Sequence, residues 1–356
     1  MNVHTRQEVT QDRISQLAGT INDRLRESIA DIQDVNDDIH VLSVNAKIQA
    51  ARAGDSGKGF GVVADMVRGM VTRTQDITDR LQRNVESTVG ELLSLNSFLG
   101  TKVRGERLSQ VASTMIDIVD RNLYERSCDV RWWATEDAVV RALSQPTAEN
   151  LQKASHRLGV ILDSYTVYLD IVLCDLSGVV LANGRPEQYK SVGSKVDANV
   201  WFHEARRSKN GTEFGFEGVH LSPLVNDKSV LVYSCAVRKD GESSGEQIGV
   251  LGVVFNWAGL GNVVVEHAED TLAAETENHL HAHLFYPDGT VIASRGGRGM
   301  LQKMNDRTLK LIDNRPLGTI LPDSEKAKNL VAGFALSQGF ETYRTGWYAI
   351  ILEEQN

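Results

Sequence analysis

The sequence predicts two kinds of structure in one chain: an N-terminal antiparallel helical hairpin of the coiled-coil type, then a mixed α+β domain led by a long helix. Three observations carry this. The first of six prolines is Pro146, and uninterrupted helix needs a proline-free run, because proline lacks the backbone donor and clashes with the preceding turn. Up to Gly105 the aromatic residues are Phe60 and Phe98, whereas all five tryptophans follow residue 130. The front part therefore lacks material for a globular core. Further on, apolar residues come in short runs bounded by turn signals, as strands do.

The hairpin follows a seven-residue rule. Ile14, Ala18, Ile21, Leu25, Ile32, Val35, Ile39, Leu42 and Ala46 recur in alternating steps of three and four, with Ser28 breaking the row. The pattern resumes at Phe60, Val63, Val67, Met70, Ile77 and Leu81, then slips to steps of four through Val85 and Val89. Sustained apolar a and d positions specify a coiled coil, and the slip is a stutter that relaxes the supercoil. Arms of about 40 residues reach roughly 60 Å.

Between the arms lies AARAGDSGKGF, residues 50–60. Its glycines do not make a phosphate loop. Lys58 is followed by Gly59 rather than Ser or Thr, and Gly57, Gly59 and Gly61 are spaced two and two, so the phosphate-loop and dinucleotide patterns both fail. Gly54 fits the left-handed position that ends a helix, and Asp55 or Ser56 is available to cap the next. The stretch, centred on residues 54–59, turns the chain around.

Length and composition bound the rest. A chain of 356 residues has room for two or three compact units. A net charge of −9 argues against nucleic acid, whose binding needs a basic face. Cys128, Cys174 and Cys235 are odd in number and far apart, which suits a reducing compartment. The N-terminus has no apolar core for a secretory signal. Residues 248–265 approach membrane-spanning length but carry glycines and asparagines, and read as a buried strand entering a helix. The expectation is a cytoplasmic protein with no membrane span.

VLSVNAKIQAARAGDSGKGFGVVADMVR, residues 41–68, resembles the signalling tip of bacterial methyl-accepting chemotaxis receptors. Asn45, Arg52, Gly54, Phe60, Val62, Val63, Ala64 and Arg68 coincide with the family pattern, and Asp55 stands where the family has glutamate. The resemblance implies a homodimeric four-helix bundle whose tip contacts a chemotaxis histidine kinase and its coupling protein, beside membrane receptor arrays. It implies contact residues Asn45, Arg52, Asp55, Phe60, Val62 and Val63. DDIH at residues 37–40 departs from the segment through which dimers gather into trimers, Gln49 replaces a tip glutamate, and Gly61 replaces an alanine. No methylation site is expected.

Beyond residue 105 the order of elements resembles a double Cache (PAS-like) sensor domain. One long helix is expected from residue 107 to just before Pro146, and a second over 148–165. Two strands then surround an Asp-x-x-Gly turn, followed by the helix DANVWFHEARR, three more strands, and a shorter second lobe opening on LHAHLFYPDGTVIAS. The implied division is 1–105 signalling hairpin, 106–275 long helix and first lobe, and 276–356 second lobe. No internal repeat is visible in the residues. In membrane receptors of the family the sensor precedes the hairpin; here the order is reversed.

NVWFHEA resembles the helix over the ligand in amino-acid-binding Cache domains, with Trp201, Phe202 and Ala205 matching. Asn199 replaces the arginine that holds a carboxylate, Ser194 replaces a tyrosine, and Val254 stands near the usual aspartate. The expected ligand-lining set is Trp201, Phe202, Asn199, Phe216, Tyr233 and Asn256, around a small molecule that is not a free α-amino acid. Trp132 and Trp133 point about 100° apart on a helix, so at most one faces any pocket, and packing is the plainer role. His279, His281 and His283 share one face of a strand but stand about 7 Å apart, too far for one ion. No metal, cofactor or enzymatic nucleophile is expected. Two functions remain: a chemoreceptor-like transducer that senses a small molecule and modulates the kinase, or a soluble binding protein whose coiled coil serves only dimerisation.

Overall fold

The computed structural model describes residues 3–322 and 329–354, with side chains from residue 13 onward. The chain divides into two compact units, Met1–Val103 and Arg104–Asn356.

The first unit is the hairpin. Helix α1 (Val3–Arg52) and helix α2 (Lys58–Trp133) are joined by a 3₁₀ turn at Gly54–Gly57. Gly54 has φ 56°, the left-handed conformation that glycine adopts at least cost. Gly57 is required for another reason: a Cβ there would lie 2.2 Å from the Ala50 carbonyl oxygen. Asp55 turns its carboxylate to Lys58 at 2.7 Å rather than capping α2.

The two helices close on each other through small and polar residues. Ala18, Ile29, Asn36, Ser43 and Ala50 are buried on α1, and Ala64, Thr78 and Asn96 on α2. Asn36 donates its amide to the Val71 carbonyl (3.1 Å) and to Gln75 (3.3 Å). Arg26 reaches Glu86 at 3.2 Å, and Lys47 pairs with Asp65. The larger apolar stripe from the heptad pattern points elsewhere. Val35, Leu42 and Met70 are 58%, 68% and 68% exposed, and Ile21, Ile32 and Ile77 are exposed with them. Apart from Ala18, the heptad row is thus not the seam between the two arms of one chain. Each helix offers one narrow face to its neighbour, and small residues fill it.

The second unit starts on the C-terminal part of α2, which runs without a break through residue 105, where the sequence suggested a boundary. The single helix expected to reach Pro146 stops at Trp133. Thr135 donates backbone N–H and hydroxyl to the Trp132 carbonyl, the chain extends at Glu136 (ψ 129°), and α3 (Asp137–Ser144) restarts. Helix α4 (Ala148–Asp163) is capped by Thr147, whose hydroxyl accepts from the Asn150 N–H. The first lobe then follows as β1 (Tyr168–Cys174), β2 (Val180–Asn183), α5 (Val200–Arg207), β3 (Gly215–Ser222), β4 (Lys228–Arg238) and β5 (Gln247–Asn256). Helix α6 (Trp257–Ala273) leads to the second lobe: β6 (His279–Phe285), β7 (Val291–Ser294), α7 (Asp306–Ile312), β8 (Leu317–Ile320), β9 (Leu330–Leu336) and β10 (Tyr348–Glu354).

The sheets have orders β2-β1-β5-β4-β3 and β7-β6-β10-β9-β8, all described pairs antiparallel. Each lobe therefore repeats one plan, a structural repeat that the residues do not display. Between the sheets' inner faces and α2 lies the main core, containing Leu108, Met115, Val119, Leu123, Tyr233, Phe255, Trp257 and Trp347. Its tightest contact is backbone on backbone, since a Cβ on Gly333 of β9 would stand 2.0 Å from the Ser109 nitrogen of α2.

That contact yields a direct test. Gly333→Ala should destabilise the chain by about 1–3 kcal/mol or more through overpacking. Gly69→Ala, within α2 and with nothing near its added Cβ, should stabilise by roughly 0.5–1 kcal/mol. Urea denaturation followed by circular dichroism measures both, and equal effects would contradict the packing described here.

Candidate functional site

Two regions draw together the residues singled out in the sequence: the hairpin turn and the outer face of the first sheet. At the turn, Asn45 and Arg52 come from the end of α1, Asp55 from the 3₁₀ segment, and Phe60, Val62 and Val63 from the start of α2. All six are exposed, Phe60 at 74%. The hairpin's own packing thus leaves an apolar cluster, rimmed by an arginine and an acid, uncovered.

The first lobe separates residues that the sequence grouped as one pocket. Trp201 and Phe202 of α5 lie on the outer face with Val172, Tyr189, Val232 and Val254. Phe216 and Tyr233 lie on the opposite face, against the second lobe. Tyr233 exchanges a hydrogen bond with the Tyr343 hydroxyl at 2.6 Å, and the Phe216 ring lies tilted against Tyr233 at 5.1 Å. Alternation along β3 and β4 sends them inward, which the strand assignments alone could have shown. Asn256 caps α6 by accepting from the Gly259 N–H at 3.2 Å. Asn199 precedes α5 without a side-chain capping bond. Of the six expected lining residues, three therefore have structural work away from the Trp201 face.

Trp201 is itself fully buried. Its indole covers Gly252, where a Cβ would approach the ring to 2.8 Å. Its N–H in the backbone donates to Glu217 at 3.2 Å, and its carbonyl accepts from Ser234 at 2.6 Å. The equivalent face of the second lobe is more open: a cleft of about 300 Å³ is bounded by Phe285, Tyr348, Leu309, Ile312, Lys310 and Asp313.

Asp170, which the sequence reading passed over, is the most unusual group on the Trp201 side. It is a fully buried carboxylate in β1, opposite Val254 of β5. The readable signal was a single acid within the apolar strand YLDIVLC. Burial pushes its pKa up to about 6, against the pull of hydrogen bonds from Asn183 and three backbone N–H groups.

The histidine row gives no metal centre. His279 and His281 are not buried, whereas burial and the neighbouring His281 push His283 down to about 4. Among the described residues no group of three His, Cys, Asp or Glu could hold an ion. Trp133 is buried against Tyr165 and Tyr168, and Trp132 is 67% exposed. The three cysteines are free, and among the described residues no helix is long and apolar enough to cross a membrane.

Comparison with known proteins fits both units. Residues 2–123 match the methyl-accepting chemotaxis protein (MCP) signalling domain. The chain is 30% identical over 146 residues to methyl-accepting chemotaxis protein PctB of Pseudomonas aeruginosa, covering 36% of this chain and 23% of that one. It is 30% identical over 124 residues to Protein PilJ of the same organism, covering 34% and 18%. The matches thus span about a fifth of these relatives. Among solved structures, the ligand-binding domain of Campylobacter jejuni chemoreceptor Tlp3 in complex with L-valine has a TM-score of 0.52 at 17% identity, covering 71% of this chain and 93% of that one. The same domain with L-norvaline has a TM-score of 0.50 at 18% identity, covering 71% and 91%. The chain thus joins a segment that matches the MCP signalling domain to a unit whose fold is similar to that of the Tlp3 ligand-binding domain.

The packing of the first lobe sets an expectation for mutants. Trp201→Ala should cost about 3–5 kcal/mol of stability, while Asn199→Ala should stay within about 0.5 kcal/mol. Chemical denaturation of both decides it, and a mild Trp201→Ala would mean that this face can collapse or admit solvent.

Proposed function

We propose that the chain is a chemoreceptor-like transducer that senses a small molecule through its two-lobed unit and modulates a chemotaxis-type histidine kinase through the hairpin tip. The observation that carries the reading is the exposed cluster of Phe60, Val62 and Val63 at the turn, flanked by Arg52, Asp55 and Asn45. The hairpin's own packing leaves these side chains unused, so their burial is available to a partner. The kinase and its coupling protein are the partners this surface resembles. With them the chain would act in the cytoplasm, beside membrane receptor arrays.

The second support is the exposed stripe of Ile32, Val35, Ile39 and Leu42 on α1, with Met70, Ile77 and Leu81 on α2. Apolar residues in heptad register bury themselves against another helix pair. The partner proposed is a second copy, which completes a four-helix bundle. Helix α2 supplies the covalent route between input and output, being both the second arm of the hairpin and the helix on which the two-lobed unit is built. For the ligand, Tlp3 with L-valine is a guide to fold only. Asn199 and Val254 supply no charge at the Trp201 face, and the Asp170 carboxylate opposite Val254 is taken up by its own four donors, so a molecule with an uncharged or singly anionic end is favoured over a free α-amino acid.

Two outcomes follow from these surfaces. Arg52→Glu should abolish co-purification with the coupling protein while leaving the melting temperature unchanged, because Arg52 is exposed. If the unaltered chain retains neither kinase nor coupling protein, the transducer reading fails and a dimeric binding protein remains. Ile39→Asp combined with Leu42→Asp places charges in the proposed seam, which is costly on burial, and sedimentation should report monomers. An unchanged dimer would assign self-association to the two-lobed unit instead.

A further inference from the structure

Asp170 lies within β1, between Leu169 and Ile171, without exposed surface. A buried carboxylate is ordinarily paired with a cation, because moving a bare charge out of water is costly. Asp170 has no such partner. Its Oδ1 accepts from the N–H groups of Ile171 (2.8 Å), Gly184 (3.0 Å) and Arg185 (3.1 Å), and its Oδ2 accepts from the Asn183 amide (2.8 Å).

None of the charged or titratable side chains named here from the surrounding elements bonds to the carboxylate. Arg185 sends its guanidinium to Asp163 of α4 at 2.7 Å, and Lys190 donates to the Pro186 carbonyl at 2.8 Å. Lys228 of β4 donates to the Tyr189 hydroxyl at 3.3 Å, and Glu187 is exposed. From β5 the residue opposite is Val254. The carboxylate is therefore held by neutral dipoles alone, and three of its four donors, Asn183, Gly184 and Arg185, open the loop that runs on to α5.

We propose that Asp170 is a proton-sensing site, at which protonation of the carboxylate releases residues 184–191 and loosens the loop leading into α5. The hydrogen-bond inventory supplies the mechanism. In the ionised state the Asn183 amide nitrogen is held between Asp170 Oδ2 and the Tyr189 carbonyl, 3.1 Å away, while its own Oδ1 is buried without a partner. A proton taken from solvent onto Oδ2 would set O–H against N–H, two donors facing each other. Turning the amide over resolves this: Oδ1 accepts from the new O–H, and the orphaned acceptor is satisfied. The same turn puts an oxygen against the Tyr189 carbonyl, so the bond that ties residue 189 to β2 is lost.

The linkage has an unusual sign. The folded-state pKa, about 6, is raised above that of an exposed carboxylate, so between the ordinary carboxylate range and about 6 the folded state holds a proton that the unfolded chain has released. The group's contribution to global stability therefore falls as pH rises through that window and is not lost on acidification. Loosening below pH 6 is thus local, and the carboxyl stays buried through it: without the Gly184 and Arg185 N–H groups, which favour the ionised form, it holds its proton more tightly still. This site stands apart from the proposed transducer role, and its test needs neither kinase nor ligand.

Hydrogen–deuterium exchange of the full chain, corrected for the intrinsic pH dependence of exchange, is the experiment. Peptides covering 184–191 should exchange about tenfold faster at pH 5 than at pH 7.5, with protection of β4 and β5 unchanged, as local opening requires. In Asp170→Asn the amide replaces the protonated carboxyl and donates to Asn183 Oδ1, so the loop should exchange at pH 7.5 as the unaltered chain does at pH 5, with no further pH dependence. Infrared spectroscopy of the unaltered chain supplies a reading independent of that variant's folding: a protonated-carboxyl band should appear with a midpoint near pH 6. Equal loop exchange at both pH values, or no buried carboxyl titrating between pH 5 and 7.5, would overturn the proposal.

Discussion

Everything in the two-lobed unit is arranged around the C-terminal part of α2. Gly333 lets a strand backbone reach the helix backbone, and the polar contacts then fix where along the helix each element sits. Asp120, buried on α2, accepts from the Ser337 hydroxyl, the Gly339 N–H, and the N–H and hydroxyl of Thr345. It thereby holds the segment between β9 and β10 across the helix. Nearer the start of the unit, Arg104 and Arg107 pair with Glu275, and Arg104 also with Glu353. Charge pairs with so little solvent around them tolerate the loss of one member badly. They fix the helix to the end of α6 and to β10.

The segment held by Asp120 also touches the first lobe. Tyr343 meets Tyr233 and Phe214, and Trp347 packs against Phe216, Trp257 and Tyr286. Tyr286 in turn accepts from the Val219 N–H at 2.6 Å. The inward face of the first sheet, the β9–β10 segment and α2 thus form one contiguous set of contacts. Those contacts run continuously from the inner face of the first sheet to α2. The two lobes share a strand order but differ beneath their outer helices. Trp201 fills the first, and the short α7 leaves a cleft in the second.

Much of this was legible in the residues. Proline and aromatic distribution located the helical front part, Gly54 located its turn, and β1, β2, β6 and β7 followed from alternation around Asp-x-x-Gly and Pro-Asp-Gly. What escaped has physical causes. The heptad row marked an apolar surface without saying which helix covers it, and apart from Ala18 the arms close instead on residues outside it, Asn36, Ser43 and Ala64. The break at Thr135 carries neither proline nor glycine. The repeat of the two lobes, expected from the double Cache resemblance, resides in backbone topology rather than in side chains. Phe216 and Tyr233 were read by type, as aromatics suited to a pocket, when strand alternation sends them to the other face. Asp170 was visible as an acid in an apolar strand, but its donors come from residues 183–185, which only the fold brings to it.

A transducer of the kind proposed needs both the tip and the two-lobed unit. The most direct measurement is autophosphorylation of a chemotaxis histidine kinase reconstituted with its coupling protein and the full chain, compared with the same mixture containing residues 104–356 alone. The account predicts that the full chain changes the phosphorylation rate and that the fragment without the hairpin does not. An unchanged rate with the full chain, or an equal change with the fragment, would contradict it.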